Sequence, residues 1–113
     1  MKTTVKKFSR KSPKKALLFG LAQSLIMKER IKTTHARGKE ASSLVERIIT
    51  VGKGDSLSAQ RLLSRYLSES TVKKVIKDLV PRYKERNGGY TRLVKLGRRS
   101  SDGAEIVFLE LVK

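Results

Sequence analysis

The chain has 113 residues, the length of one domain, and 38% of them are hydrophobic, which suffices for one modest core. Its 27 Lys and Arg against 10 Asp and Glu give a net charge of +17, so the natural partner is a polyanion. The absence of Cys excludes a disulfide frame, a thiolate metal site and a cysteine nucleophile, and the apolar run from Ala16 to Ala22 is far shorter than the ~18–20 residues of a membrane span.

From Met1 to Lys15 the chain carries seven cations, Lys2, Lys6, Lys7, Arg10, Lys11, Lys14 and Lys15, and no carboxylate. Val5 and Phe8 give this stretch little to bury, so its own packing does not offset its ordering entropy. Residues 1–12 are expected to be an extended basic arm that orders on a partner, and residues 13–113 a single globular domain. A basic start followed by apolar residues has the look of a secretion signal. Gln23, Ser24, Lys28, Glu29 and Arg30, however, continue it as an amphipathic helix. The expectation is a soluble, intracellular protein.

Ser12 and Pro13 form a helix start, and Leu18, Leu21, Ala22 and Leu25 recur at helical spacing, predicting a helix from Pro13 to about Met27. Ile31 to Thr34 is rich in β-branched residues and reads as a short strand. Thr34 caps a second helix, about Ala36 to Val51, whose buried stripe is Ala41, Leu44, Val45, Ile48 and Ile49; Gly38 is a mild misfit inside it, and Gly52 and Gly54 end it. Asp55 or Ser56 opens a third helix to about Leu67. Ser70 opens a fourth, with Val72, Val75, Ile76, Leu79 and Val80 inward and its end expected at Pro81. After Asn87 the pattern changes to strands, Tyr90 to Leu96 and Ala104 to Val112, joined as a hairpin through Gly97 to Gly103. The fold class is α+β: helix, strand, three helices and a two-stranded hairpin, forming a small three-stranded sheet covered by helices, with strand order left open.

Catalytic chemistry finds no support in these residues. His35, the one histidine, has neither an orienting carboxylate nor a nucleophile in a recognisable arrangement, and reads as a surface or RNA-facing side chain. The carboxylates are scattered without metal-ligand spacing, so no metal site is expected, and with no enzyme chemistry in view neither is a small-molecule substrate. Gly88-Gly89 lacks the spacing of a nucleotide-binding loop; it reads first as a turn needing positive φ. That turn also lets an RNA backbone approach Gly88, Gly89, Tyr90, Thr91 and Arg92, with Tyr90 as a possible stacking ring set against a half-buried sheet tyrosine. Arg98-Arg99 projects from the hairpin tip. The apolar stripes are needed in the core, which argues against a membrane surface. Zinc-finger spacing, an RNP1 strand and a KH loop are all missing, and with 5% aromatics a stacking platform for single strands is poorly supplied. Basic projections on a small body favour structured RNA gripped through phosphates and shape.

Three segments carry a resemblance to a known family. They are Arg82-Tyr83-Lys84-Glu85-Arg86-Asn87-Gly88-Gly89-Tyr90-Thr91-Arg92, Glu29-Arg30-Ile31-Lys32-Thr33-Thr34 continuing through Arg37-Gly38-Lys39-Glu40, and Ile106 to Val112. In this order and spacing the chain resembles the bacterial large-subunit ribosomal protein seventeen family from about Lys14 to Val112. It departs from the family where His-Arg pairs are common in the arm, where Lys28 replaces a frequent His, and at Gly38, where alanine is common. The resemblance implies an α+β body with a basic N-terminal extension and no catalytic activity or cofactor. It implies binding of 23S rRNA in the cytoplasmic large subunit, one copy per ribosome, beside neighbouring ribosomal proteins near the nascent-chain exit. The residues expected to meet RNA are the seven cations of residues 1–15, Thr33, Thr34, Arg37 and Lys39 at a helix N-terminus, Gly88 to Arg92, and Arg98 and Arg99. Two rival readings are a free nucleoid or DNA-binding protein and a small RNA-processing enzyme.

Overall fold

The computed structural model describes residues 13–113. Residues 1–12, and with them the expected arm and its boundary, lie outside the described residues. Helix α1 spans Pro13–Lys28, with proline at the first position where its missing N–H costs nothing. Its buried stripe is Phe19, Ala22, Leu25 and Ile26, so the helix is rotated slightly from the expected stripe and leaves Leu18 and Leu21 half-buried. The helix ends at Glu29, which takes a left-handed φ of 66° while its N–H bonds to the Leu25 carbonyl at 2.7 Å. That conformation is rare outside glycine and turns the chain directly into β1, Arg30–Thr34.

Helix α2, His35–Gly52, starts where expected: the Thr34 hydroxyl accepts from the Arg37 N–H. All five predicted stripe residues are buried. Gly38 proves to be a contact rather than a misfit. A Cβ there would stand 3.0 Å from Leu93 Cδ2 and 3.1 Å from Val107 Cγ2, so the absent side chain is what lets α2 lie close on the sheet. Gly52 does the same at the other end, where a Cβ would meet Val80 Cγ2 at 2.9 Å and Val75 Cγ1 at 3.1 Å.

Helix α3 covers Ser56–Ser64, three residues short of its expected end, because Arg65 and Tyr66 turn toward a new cap at Ser68. The Ser68 side chain accepts from the Thr71 N–H, so the next helix begins at Glu69 and not Ser70. Gln23 of α1 fixes this start, its side-chain oxygen accepting from the Ser68 N–H at 2.8 Å and the Thr71 hydroxyl at 3.3 Å. Helix α4 is α-helical over Glu69–Lys74, π-helical over Val75–Leu79, and α-helical again over Val80–Arg82. Pro81 therefore lies inside the last turn instead of ending the helix before it. The widened turn, in which the Val80 N–H bonds to the Val75 carbonyl, relieves the clash a proline ring makes with the carbonyl four residues back.

Strands β2, Thr91–Arg98, and β3, Glu105–Leu111, both run antiparallel to their neighbours in the order β1-β3-β2. Thus the last strand inserts between the other two. Thr33 faces Val107 and Lys95 faces Val107 from the other side, while a bulge at Leu96 brings Gly97, at φ 120°, opposite Ile106. Val107, Leu109 and Leu111 are buried on the helix side, and one core joins Leu109 and Leu111 to α1, α2 and α4. The α+β architecture is the expected one.

Candidate nucleic-acid interface

The chain reversal at Thr34 and the hairpin tip meet at one end of the sheet, because Thr34 pairs with Ile106 and Arg98 with Glu105. Between them lies a cleft of about 630 Å³ lined by Leu21, Lys32, Thr33, Thr34, Arg37, Leu96, Gly97, Arg98, Arg99 and Ile106. Five of these, Thr33, Thr34, Arg37, Arg98 and Arg99, are residues singled out from sequence. Lys32, Leu96 and Ile106 were not. The alternation that puts Lys32 and Thr34 on the same side of β1 is the signal that could have found the lysine.

Four cations line the cleft and no carboxylate does. Arg37 sits in the first turn of α2, where the backbone N–H groups and the helix dipole favour an anion. Among the described residues Arg37 and Lys39 have no carboxylate partner, and both are exposed. The hairpin-tip pair is more constrained. Arg98 donates to the Gly103 carbonyl at 2.9 Å, while Arg99 forks onto Asp102 through Nε at 3.0 Å and Nη2 at 2.8 Å. That guanidinium, helped by the Ala104 N–H, holds the Asp102 carboxyl down at about 2, and Arg99 is raised in return. The tip loop is thus tied by its own hydrogen bonds, and among the described residues Arg98 has no carboxylate partner. His35 carries no hydrogen bond to a carboxylate, and no group of three His, Cys, Asp or Glu able to hold a metal occurs among the described residues.

The segment from Gly88 to Arg92 lies at the opposite end of β2, since Thr91 pairs with Leu111. Gly88 and Gly89 have φ of 106° and 65°, and a Cβ at either would meet nothing within 4 Å, so the turn demands glycine and leaves the backbone open. Of the two readings of Tyr90, the structure has the buried tyrosine. It is only 3% exposed, packs against Tyr83 with centroids 5.1 Å apart, and its hydroxyl accepts from Lys53 Nζ at 2.7 Å. No ring face is left for a base. The Thr91 hydroxyl is turned to Ser42 and donates to Glu46 at 3.1 Å, and Arg92 is held by Glu110 at 2.9 Å. Lys15 is exposed on α1, Lys14 lies in its first turn, and Lys2, Lys6, Lys7, Arg10 and Lys11 are outside the described residues.

A second cleft, about 710 Å³, is lined by Lys28, Glu29, Arg30, Lys74, Arg92 and Glu110 among others. Here carboxylates answer three of the cations, Arg30, Lys74 and Arg92. Glu29 takes Lys74 at 2.8 Å and Arg82 Nη1 at 2.8 Å, and Glu110 takes Arg30 at 3.3 Å. The hydrogen bonds from Arg82 and Lys74 hold the Glu29 carboxyl at about 2. The first cleft has no carboxylate in its lining, whereas Glu29 and Glu110 stand in the second.

A family model described as Ribosomal protein L17 matches residues 17–112. The chain is 54% identical over 110 residues to "Large ribosomal subunit protein bL17" of Bdellovibrio bacteriovorus, the match covering 96% of this chain and 61% of that protein. It is 50% identical over 100 residues to the protein of that name from Caldanaerobacter subterraneus, covering 88% and 89% of the two chains. The corresponding Exiguobacterium protein is 45% identical over 107 residues, with 89% and 92% covered. The chain therefore spans about three-fifths of the Bdellovibrio relative and most of the other two.

Proposed function

The chain belongs to the ribosomal protein L17 family, and from that membership we propose that it is a non-catalytic structural constituent of the large ribosomal subunit in the cytoplasm, where it binds and stabilises folded 23S rRNA. The observation that carries the reading is the cleft at the β1–α2 junction, where Lys32, Arg37, Arg98 and Arg99 converge beside a helix N-terminus with no carboxylate in the lining. Side chains and backbone N–H groups so arranged grip phosphate oxygens and position a backbone without reading bases, so selectivity comes from RNA shape. Gly88 and Gly89 offer a second, backbone approach at the far end of β2, with Thr91 and Arg92 as the flanking side chains. The cations of residues 1–15 add reach. One copy per subunit, beside neighbouring ribosomal proteins near the nascent-chain exit, completes the proposal.

Sedimentation of a cell lysate through a high-salt sucrose gradient tests it. Co-migration with the large subunit is expected. Recovery in soluble fractions or with chromosomal DNA would contradict the placement and favour a free nucleic-acid-binding protein.

A further inference from the structure

Two pairs in the chain, Asn87-Gly88 and Asp102-Gly103, set a side-chain carbonyl carbon beside a glycine N–H. Such a pair can close a succinimide ring, because glycine has no Cβ to crowd the attacking nitrogen. The structure treats the two in opposite ways. At the hairpin tip the Gly103 N–H is occupied by the Arg99 carbonyl at 2.8 Å. The Asp102 carboxylate is forked by Arg99 and accepts from the Ala104 N–H at 3.1 Å. Held as an anion by these donors, it is a poor electrophile, and its nucleophile is engaged. Asn87, the only asparagine of the chain, is exposed and outside helix and strand. Among the described residues neither its side-chain amide nor the Gly88 N–H has a hydrogen-bond partner. Gly88 has a φ of 106° and open space where a Cβ would stand, so its nitrogen is accessible. The flanks, by contrast, are tied. The Arg86 carbonyl accepts from Lys53 Nζ and from the Tyr90 hydroxyl, and Arg86 Nη1 donates to the Gly89 carbonyl at 3.4 Å. These cations stand on both sides of the Gly88 amide, where positive charge favours loss of its proton.

We propose that Asn87 is a site of spontaneous covalent modification in the folded chain: deamidation to aspartate and isoaspartate through a succinimide formed with Gly88. The Gly88 amide gives its proton to hydroxide, and its nitrogen attacks the Asn87 side-chain carbonyl carbon. A new N–C bond forms there, the bond to the side-chain nitrogen breaks, and that nitrogen leaves as ammonia after taking a proton from water. Water then opens the ring. Attack at the side-chain carbonyl yields aspartate, and attack at the main-chain carbonyl yields isoaspartate, whose backbone runs through the former side chain. Either product puts a carboxylate where a neutral amide stood, next to Gly88 and Gly89. The consequence for binding rests on the reading of this glycine turn as an approach for RNA backbone: the added negative charge repels phosphate and weakens that contact.

The test ages the purified full chain in warm, mildly alkaline buffer, with circular dichroism confirming that it stays folded. Isoaspartate in the intact chain is then labelled with isoaspartyl methyltransferase and S-adenosylmethionine, and the chain is cut after lysine for mass spectrometry. The peptide Glu85–Lys95 is expected to gain the mass of an amide-to-acid exchange together with the methyl label, while the peptide holding Asp102 takes no label. Asn87→Gln, whose longer side chain would have to close a larger and slower ring, should abolish both changes. An unaltered Glu85–Lys95 peptide, or equal labelling at Asp102, would overturn the inference. Asn87→Asp is expected to bind 23S rRNA about threefold more weakly than wild type at low salt, with the difference shrinking as salt rises. Equal affinity would overturn the consequence for binding. Failure of every form to bind rRNA would count against the rRNA reading as well, whereas the peptide map judges the modification by itself, so the two failures are separable.

Discussion

Glu29 concentrates more consequence than any other side chain of the body. Its left-handed backbone turns α1 into β1, its carbonyl accepts from the Leu111 N–H at 3.0 Å, and its carboxylate ties α1 to Lys74 and Arg82 of α4. With its carboxyl held at about 2 against an ordinary 4.5, the folded state binds this proton more weakly than the unfolded chain does. The stabilisation is therefore complete above pH ~4.5 and disappears as pH falls toward ~2. Because the side chain is about a third exposed, solvent screening reduces the linkage to ~1–2 kcal/mol. Glu29→Gln should lower stability by that amount at pH 7 in urea denaturation, and the difference from wild type should vanish near pH 2. Two glycines make an opposed pair. Gly20 is exposed within α1 and a Cβ there would meet nothing within 4 Å, so Gly20→Ala should stabilise by ~0.5–1 kcal/mol. Gly52→Ala places a Cβ 2.9 Å from Val80 and should cost ~1–2 kcal/mol despite the better helix former. Thermal melts distinguish the signs. In the sequence both are simply glycines within helical patterns; only the neighbour across the packing interface separates them.

At the scale of elements, legibility tracked how local the cause is. Thr34 announces α2 because its hydroxyl serves a backbone N–H three residues away, and the α2 stripe is legible because five apolar residues share one helical face. Thr34→Ala should cost ~0.5–1 kcal/mol, measurable by denaturation. The π turn before Pro81 was not legible, since the rule that proline stops helices holds only while the preceding turn keeps its width. Nor was the strand order, which depends on β3 burying Val107, Leu109 and Leu111 between two edges. The cleft shows the same division. Arg37 and Arg98 stand out as basic residues at special positions, but their meeting depends on β1 and the hairpin tip lying side by side, and Lys32 enters only through that pairing. Tyr90, attractive beside two glycines, is withdrawn by Tyr83, which stands earlier in the same segment, and by Lys53 at the end of α2, whose approach depends on tertiary packing.

For the molecule as a whole, the few carboxylates are spent on particular cations and leave the body strongly positive. Carboxylates are used inside the body, on Arg82, Lys74, Arg30 and Arg92, while the cleft cations Lys32, Arg37 and Arg98 remain available. Among the described residues the buried core runs from Phe19 to Leu111, so deletion of residues 1–12 should leave the circular dichroism spectrum and Tm unchanged while weakening rRNA binding. Long-range attraction at +17 makes any RNA affinity salt-dependent, and the informative quantity is how that dependence changes with the cleft. The most direct measurement is the slope of log affinity for 23S rRNA against log salt for the wild type and for Arg37→Gln with Arg98→Gln. Removing both phosphate contacts should flatten the slope by about 1.4–1.8, at 0.7–0.9 per contact, and weaken binding at low salt. An unchanged slope and affinity would contradict the docking of RNA backbone in this cleft.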